Sequence, residues 1–178
     1  MSRSGPCESD VEVHYYLAYG SNMNAARMQA RVGDTRRALS ASLAGWRLYF
    51  DKASRVDGVA HANIRKEEGG HVEGVLYELT YPAQILKMDP FEDHPDEYCR
   101  QVETVDTAEG PLMAWVYVAR PEKTESGRLP AREYLGHLLA GSAFLSHAYY
   151  ERLSAQHCIE RLGDEALLSL GISRNVPG

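Results

Sequence analysis

Alternation of apolar and polar positions dominates the first two thirds of the chain. The run "YYLAY", Tyr15 to Tyr19, is aromatic or apolar throughout, as a packed strand requires. "LAGWRLYFD", from Leu43 to Asp51, sets Trp46, Leu48 and Phe50 against Arg47 and Tyr49, which predicts a second strand. "GVAHANIRKE" (58–67) and "HVEGVLYELT" (71–80) predict two more. "CRQVETVDT" and "PLMAWVYVAR" read as a hairpin joined at Glu109-Gly110. Helical spacing takes over in "NAARMQARV", the short "YPAQILKMD", "LPAREYLGHLLAGSAFL" and "HAYYERLSAQHCIERLG". Pro82 and Pro130 fall where a helix tolerates proline, in or near its first turn. The expected fold class is α+β, a single compact domain in which the strands close into a small mixed β-barrel with flanking helices. Closure removes most exposed strand edges. The expected boundaries are a disordered N-terminal tail over 1–12, the domain over 13–170 and a C-terminal tail over 171–178.

A chain of 178 residues, 44% of them hydrophobic, can bury a real core. The net charge of −6 argues against a nucleic-acid coat or a surface for anionic membranes. No apolar run reaches transmembrane length, and "MSRSGPCESD" lacks the apolar stretch of a secretory signal. Cys7, Cys99 and Cys158 are odd in number and widely spaced, which fits reduced thiols in a cytoplasmic protein.

Against that background one turn stands out. In "HYYLAYGSNMN" a strand delivers three turn formers, Gly20, Ser21 and Asn22, straight into a helix. Without a Cβ, Gly20 lets backbone approach a ligand closely. The amides of Ser21, Asn22 and Met23 then lie near a helix N-terminus, where a carboxylate or an oxyanion is favoured. The plainer reading, that Ser21 or Asn22 caps a helix, is commoner and stays open. The turn lacks the GxxxxGK[ST] of a nucleotide-binding loop.

The stretch "KMDPFEDHPDEYCR" gathers Asp89, Glu92, Asp93, Asp96 and Glu97 around His94. Its spacing matches neither an EF-hand nor a HExxH zinc site. Met88 and Phe91 interleave with Asp89 and Glu92; where both pack inward at the end of a helix, one of these two acids is drawn into an apolar wall. Burial raises a carboxyl pKa and turns it into a usable base near neutrality. Eleven tyrosines stand against three phenylalanines, which suits a small polar pocket and equally a barrel core with wet ends. No GxSxG elbow, thiol-enzyme setting or compact histidine cluster is present.

A strand ending in "AYGSNM", a mid-chain acidic turn and strands between them resemble the γ-glutamylcyclotransferase family, with its AIG2-like members. The matching pieces are "YYLAYGSNM", "LAGWRLYFDKAS", "GVAHANIRKEEGGHVEGVLYEL", "MDPFEDHPDEYCR" and "LPAREYLGHLLAGSAFLSHAYYERL", over about residues 14 to 153. The resemblance implies a barrel-like fold with flanking helices. It implies intramolecular cyclisation of a γ-glutamyl group, releasing 5-oxoproline and a free amino acid or amine, with no metal and no organic cofactor. It assigns the catalytic acid/base to Glu92 in "MDPFE". It assigns substrate binding to Tyr16, Leu17, Ala18, Tyr19, Gly20, Ser21 and Asn22, with Tyr98 after the acidic turn and Tyr134 in the later helix. The implied partner is a small γ-glutamyl substrate, with no nucleic acid and no membrane; a homodimer is compatible with it.

The sequence departs from the family where Asp93 follows Glu92 in place of glycine, and where "DHPDE" adds acids expected to repel an anionic tail. Three alternatives remain: a specialised γ-glutamylamine or γ-glutamyl-acyl substrate on the same fold, a non-catalytic ligand-binding or interaction domain, and a metal-dependent hydrolase using "EDHPDE".

Overall fold

The computed structural model describes residues 12–172. Five strands, β1 (Tyr15–Ala18), β2 (Arg37–Ala53), β3 (Ala60–Glu78), β4 (Tyr98–Thr107) and β5 (Gly110–Ala119), close a barrel in the order β1-β3-β2-β4-β5. Neighbours run antiparallel except β1 and β5, which pair in parallel at Tyr15↔Ala114 and Tyr16↔Trp115. Four helices flank it: α1 (Ala25–Val32), α2 (Arg132–Leu139), α3 (His147–Ser154) and α4 (Asp164–Ser169). The expected α+β barrel is therefore the fold.

Leu17, Val72, Leu76, Val105 and Val116 belong to one buried cluster contributed by β1, β3, β4 and β5. Burying each such side chain contributes roughly 1.5–3 kcal/mol before entropy is charged against it. Strands β1 and β3 meet so closely that a Cβ on Gly74 would lie 2.3 Å from the Ala18 carbonyl oxygen. Glycine is required there by contact, not by a turn.

Several elements differ from the sequence pattern, each for a local reason. β2 starts at Arg37 rather than Leu43, because 37–44 pairs with the far end of β3. The two strands expected over 58–67 and 71–80 are one strand. Gly69 and Gly70 mark an irregularity in it, where pairing passes from Ala44↔His71 to Trp46↔Lys66. A bulge bends a strand without ending it. The short helix expected in "YPAQILKMD" is two 3-10 turns, Pro82–Lys87 and Asp89–Glu92; Pro90 lacks the donor that would continue an α-helix through the junction. The last two long helical patterns are shortened. Gly141 follows the end of α2, and Ile159 leaves helical geometry to pair with Ala131.

The expected C-terminal tail begins too early, because Ile172 is buried in the core and its amide bonds to the Leu167 carbonyl at 3.0 Å. The expectations for residues 1–11 and 173–178, and for Cys7, lie outside the described residues. Cys99 and Cys158 are free thiols. Among the described residues no helix is long and apolar enough to cross a membrane.

Candidate active site

Strand β1 ends at Ala18, and the chain then turns through a 3-10 segment, Ser21–Met23, before α1. The turn is closed by Met23 N–H donating to the Gly20 carbonyl at 3.0 Å. The Met23 amide is thereby spent. The amides of Ser21 and Asn22, first in the turn, have no acceptor within it. The cap of α1 is Asn24, whose side chain accepts from Ala26 N–H at 3.1 Å, so neither Ser21 nor Asn22 caps the helix.

Asn22 holds the site together. Its Nδ2 donates to Tyr16 Oη at 3.0 Å and reaches Glu92 Oε1 at 3.4 Å. Its Oδ1 accepts from Arg31 Nη1 at 3.2 Å, and its carbonyl accepts from the Tyr77 hydroxyl at 2.7 Å. The Asn22 side chain thus ties β1, α1 and the acidic segment together, and its main-chain carbonyl adds β3.

A cavity of about 110 Å³ opens over this turn. Tyr16, Tyr19, Gly20, Ser21, Asn22, Glu92, Tyr98 and Tyr134 all line it. Leu17 and Ala18, assigned to substrate binding by resemblance, do not. They are 0% and 1% exposed in the core, because successive residues of a strand face opposite ways and β1 is covered on both sides. Arg27, Arg31, His61, Ala62, Phe91, Tyr117 and Leu170 also line the cavity.

Glu92 ends the second 3-10 turn, and Asp93 follows it in the left-handed region at φ 48°. Burial raises the Glu92 pKa; Arg31, Arg27 and Lys52 pull it back only in part. The residue as a whole is half-buried at the cavity mouth. Its carboxyl is surrounded like an interior group, and that surrounding governs its titration. Met88 packs inward, at 0% exposure, with its Sδ 3.4 Å from Asn22 Nδ2. Phe91 does not pack inward as expected: it is 50% exposed, and the Arg31 guanidinium lies 4.9 Å over its ring.

Asp89, the other acid of that segment, is already occupied. Arg100 grips it through Nε at 2.9 Å and Nη2 at 3.1 Å, and the Tyr117 hydroxyl donates to it at 2.6 Å. Burial opposes its ionisation, but these bonds prevail and its pKa lies below the ordinary carboxylate value. Glu97 bonds to Lys52 at 2.7 Å and Lys123 at 3.3 Å. The added acids are therefore partly neutralised, which removes part of the reason to expect repulsion of an anionic tail. Among the described residues no group of three or more His, Cys, Asp or Glu side chains is placed to hold a metal ion.

Five of the eleven tyrosines, Tyr16, Tyr19, Tyr98, Tyr117 and Tyr134, line the cavity. Tyr98 donates to the Ala62 carbonyl at 2.7 Å, and Tyr134 Oη accepts from the Ala62 amide at 3.0 Å. Tyr134 accepts there, so its own proton remains available for the cavity. Burial pushes Tyr134 up to about 12, keeping it a donor at neutral pH. A Cβ on Gly20 would come within 3.3 Å of that hydroxyl.

Sequence reasoning missed the cations. Arg27 and Arg31 stand at i and i+4 of α1, on one face. Arg27 donates from Nε to Ser21 Oγ at 3.1 Å and from Nη1 to the Gly171 carbonyl at 2.9 Å. Burial first, then Arg31, pushes Arg27 down to about 10, so it stays charged at neutral pH. Their spacing just after the turn was the available signal. Nothing in the sequence marked Leu170, which reaches the cavity from beyond α4.

Comparison with known proteins gives a consistent picture. A family model described as "Gamma-glutamyl cyclotransferase, AIG2-like" matches residues 16–136. A Drosophila melanogaster protein, CG2811, provisionally described as a gamma-glutamylcyclotransferase, is 36% identical over 62 residues, which span 33% of this chain and 39% of that protein. A solved structure named "Gamma-glutamyl cyclotransferase" has a TM-score of 0.74 at 22% identity, covering 84% of this chain and 91% of its own. The uncharacterized protein loc79017 from Homo sapiens has a TM-score of 0.73 at 24% identity, covering 86% and 93%. YkqA from Bacillus subtilis has a TM-score of 0.69 at 22% identity, covering 84% and 57%. At these identities the structural likeness concerns the fold.

Proposed function

We propose that this chain, which belongs to the gamma-glutamyl cyclotransferase, AIG2-like family, cyclises a γ-glutamyl group to 5-oxoproline and releases a free amine or amino acid. The observation that carries this reading is Glu92: a carboxyl of raised pKa on the wall of a small polar cavity, with the Gly20–Asn22 turn lining the same cavity.

The α-amine and γ-carbonyl of the substrate belong to one molecule, so no external nucleophile is needed. Holding the two in reactive geometry accounts for roughly 7–11 kcal/mol of barrier at best. Glu92 takes a proton from the α-ammonium, and the freed amine attacks the γ-carbonyl carbon. The carbonyl π electrons move to oxygen. The oxygen electrons then re-form the carbonyl as the bond to the leaving nitrogen breaks. Glu92 gives its proton to that nitrogen, takes the second proton from the attacking nitrogen to leave a neutral lactam, and passes it to the released amine, which departs as an ammonium.

Two anionic groups then need partners. Arg27 and Arg31 together with the Ser21 and Asn22 amides suit the α-carboxylate, since a guanidinium has five N–H donors and the bonds named above use few of them. The available Tyr134 proton suits the oxyanion.

Incubation of the purified protein with γ-glutamyl-alanine, γ-glutamyl-amines and glutathione, with an assay for 5-oxoproline, tests the reading. Its formation from any of them is the expected result. Silence on the whole panel, with a γ-glutamyl ligand still bound, contradicts it in favour of a binding domain.

A further inference from the structure

The cavity does not end at Glu92. A second, open chamber of about 750 Å³ adjoins it. Six residues line both spaces: Arg31, His61, Phe91, Glu92, Tyr98 and Leu170. They form a neck, with the acid/base in its wall. A γ-glutamyl group in the inner cavity therefore presents its scissile amide at the neck, and the leaving group extends outward. The inner space is small, whereas the outer one falls in the range of ordinary ligand pockets.

The outer wall carries a charge arrangement of its own. Lys52 is 6% exposed and bonds to Glu97 Oε2 at 2.7 Å. Lys123 Nζ takes the other oxygen of the same carboxylate at 3.3 Å. One carboxylate thus serves two ammonium groups, leaving one positive charge unmatched. Lys52 also donates to the Ala53 carbonyl at 2.8 Å, so two of its three N–H donors are named and one remains. Its Nζ lies 5.5 Å over the ring of Tyr98, a neck residue. The field of Lys52 reaches the neck: burial first, then Lys52, Arg27 and Arg31, push His61 down to about 4. His61 is accordingly a neutral imidazole at physiological pH and adds no charge of its own.

Asp93, Asp96 and Glu122 also line the chamber, but all three are exposed. Charges in open water are screened within about 8 Å at physiological salt, whereas a buried ammonium is screened much less. The buried cation therefore sets the sign of the inner part of this wall.

We propose that the outer chamber is the leaving-group subsite, and that Lys52 and Lys123 select a leaving group that ends in a carboxylate. This rests on the cyclotransferase reading of the inner cavity. Released amino acids or short peptides fit; a simple amine does not supply the anion.

Two matched substrates test it: γ-glutamyl-alanine and γ-glutamyl-alaninamide, which differ in one charge. The parent protein is expected to favour the acid by about tenfold in kcat/KM, mostly through KM, as one charge-assisted contact allows. In Lys52→Gln and in Lys123→Gln the acid-to-amide ratio falls towards one. Lys123 is half-exposed, so its variant keeps the test alive if Lys52→Gln does not fold. Calorimetric binding of both compounds to Glu92→Gln is measured alongside. Turnover without preference for the acid overturns the subsite and leaves the reaction standing. Preferential binding of the acid without turnover in the parent overturns the reaction and supports the subsite. Preference unchanged in both lysine variants, or no binding of either compound, overturns the subsite as assigned.

Discussion

Asn22 Nδ2 lies 3.4 Å from Glu92 Oε1, while Asn22 Oδ1 accepts from Arg31 at 3.2 Å. A single amide therefore links the proposed base to a cation that tunes it. Arg31 is the largest charge lowering the Glu92 pKa against the effect of burial. Arg31→Gln should raise that pKa further. If Glu92 acts as base, the acidic limb of the pH–rate profile moves to higher pH, and KM rises as an anion partner is lost. Profiles of kcat/KM for parent and variant check this. An unmoved limb would separate Arg31 from Glu92.

Tyr134→Phe removes a hydroxyl that accepts from Ala62 N–H and can donate to the cavity. The orphaned amide costs about 1–3 kcal/mol of stability. Loss of an oxyanion donor lowers kcat by about 10²–10³ with little change in KM. A fall in stability with kcat retained would leave Tyr134 a structural role only.

Two glycines should fail in different ways. Gly74→Ala drives a Cβ against the Ala18 carbonyl oxygen, between two barrel strands, and the cost is about 1–3 kcal/mol or more. Gly20→Ala meets the Tyr134 hydroxyl at 3.3 Å and Ala62 Cβ at 3.4 Å. It should keep the fold and lose activity. Thermal unfolding and a turnover assay on both variants separate these outcomes; a reversed pattern would mean that the barrel tolerates the first contact.

Burial holds the folded pKa of Glu92 above its unfolded value. Between those two values the folded chain binds the extra proton, so stability is lost as pH rises through that window. Glu92→Gln removes this cost. Its Tm should exceed the parent's by more at about pH 8 than at about pH 4. An advantage that grows on acidification instead would mean that the carboxylate is stabilised in the fold.

The parts of the site legible in the sequence are those set by near neighbours. Gly20, Ser21 and Asn22 follow an aromatic strand, so the turn could be read from local pattern, whereas the pattern narrowed the acid only to Asp89 or Glu92 and the family resemblance chose Glu92. Arg27 and Arg31 were readable in principle, from helical spacing after the turn. Lys52 and Leu170 were not, because only the barrel's closure and the docking of α4 bring them to the cavity and its outer chamber. The same limit appears in the fold. Gly69-Gly70 reads locally as a break, yet pairing with β2 continues on both sides of it. Asp89 and Glu92 looked interchangeable in sequence; the Arg100 and Tyr117 contacts, from β4 and β5, set them apart.

In the proposed reaction Glu92 moves the proton. Release of 5-oxoproline from γ-glutamyl-alanine by Glu92→Gln, measured together with calorimetric binding of the same compound, tests it most directly. Turnover should fall by about 10²–10⁴ while binding stays within a few fold. Turnover close to the parent's, with binding intact, would contradict the account.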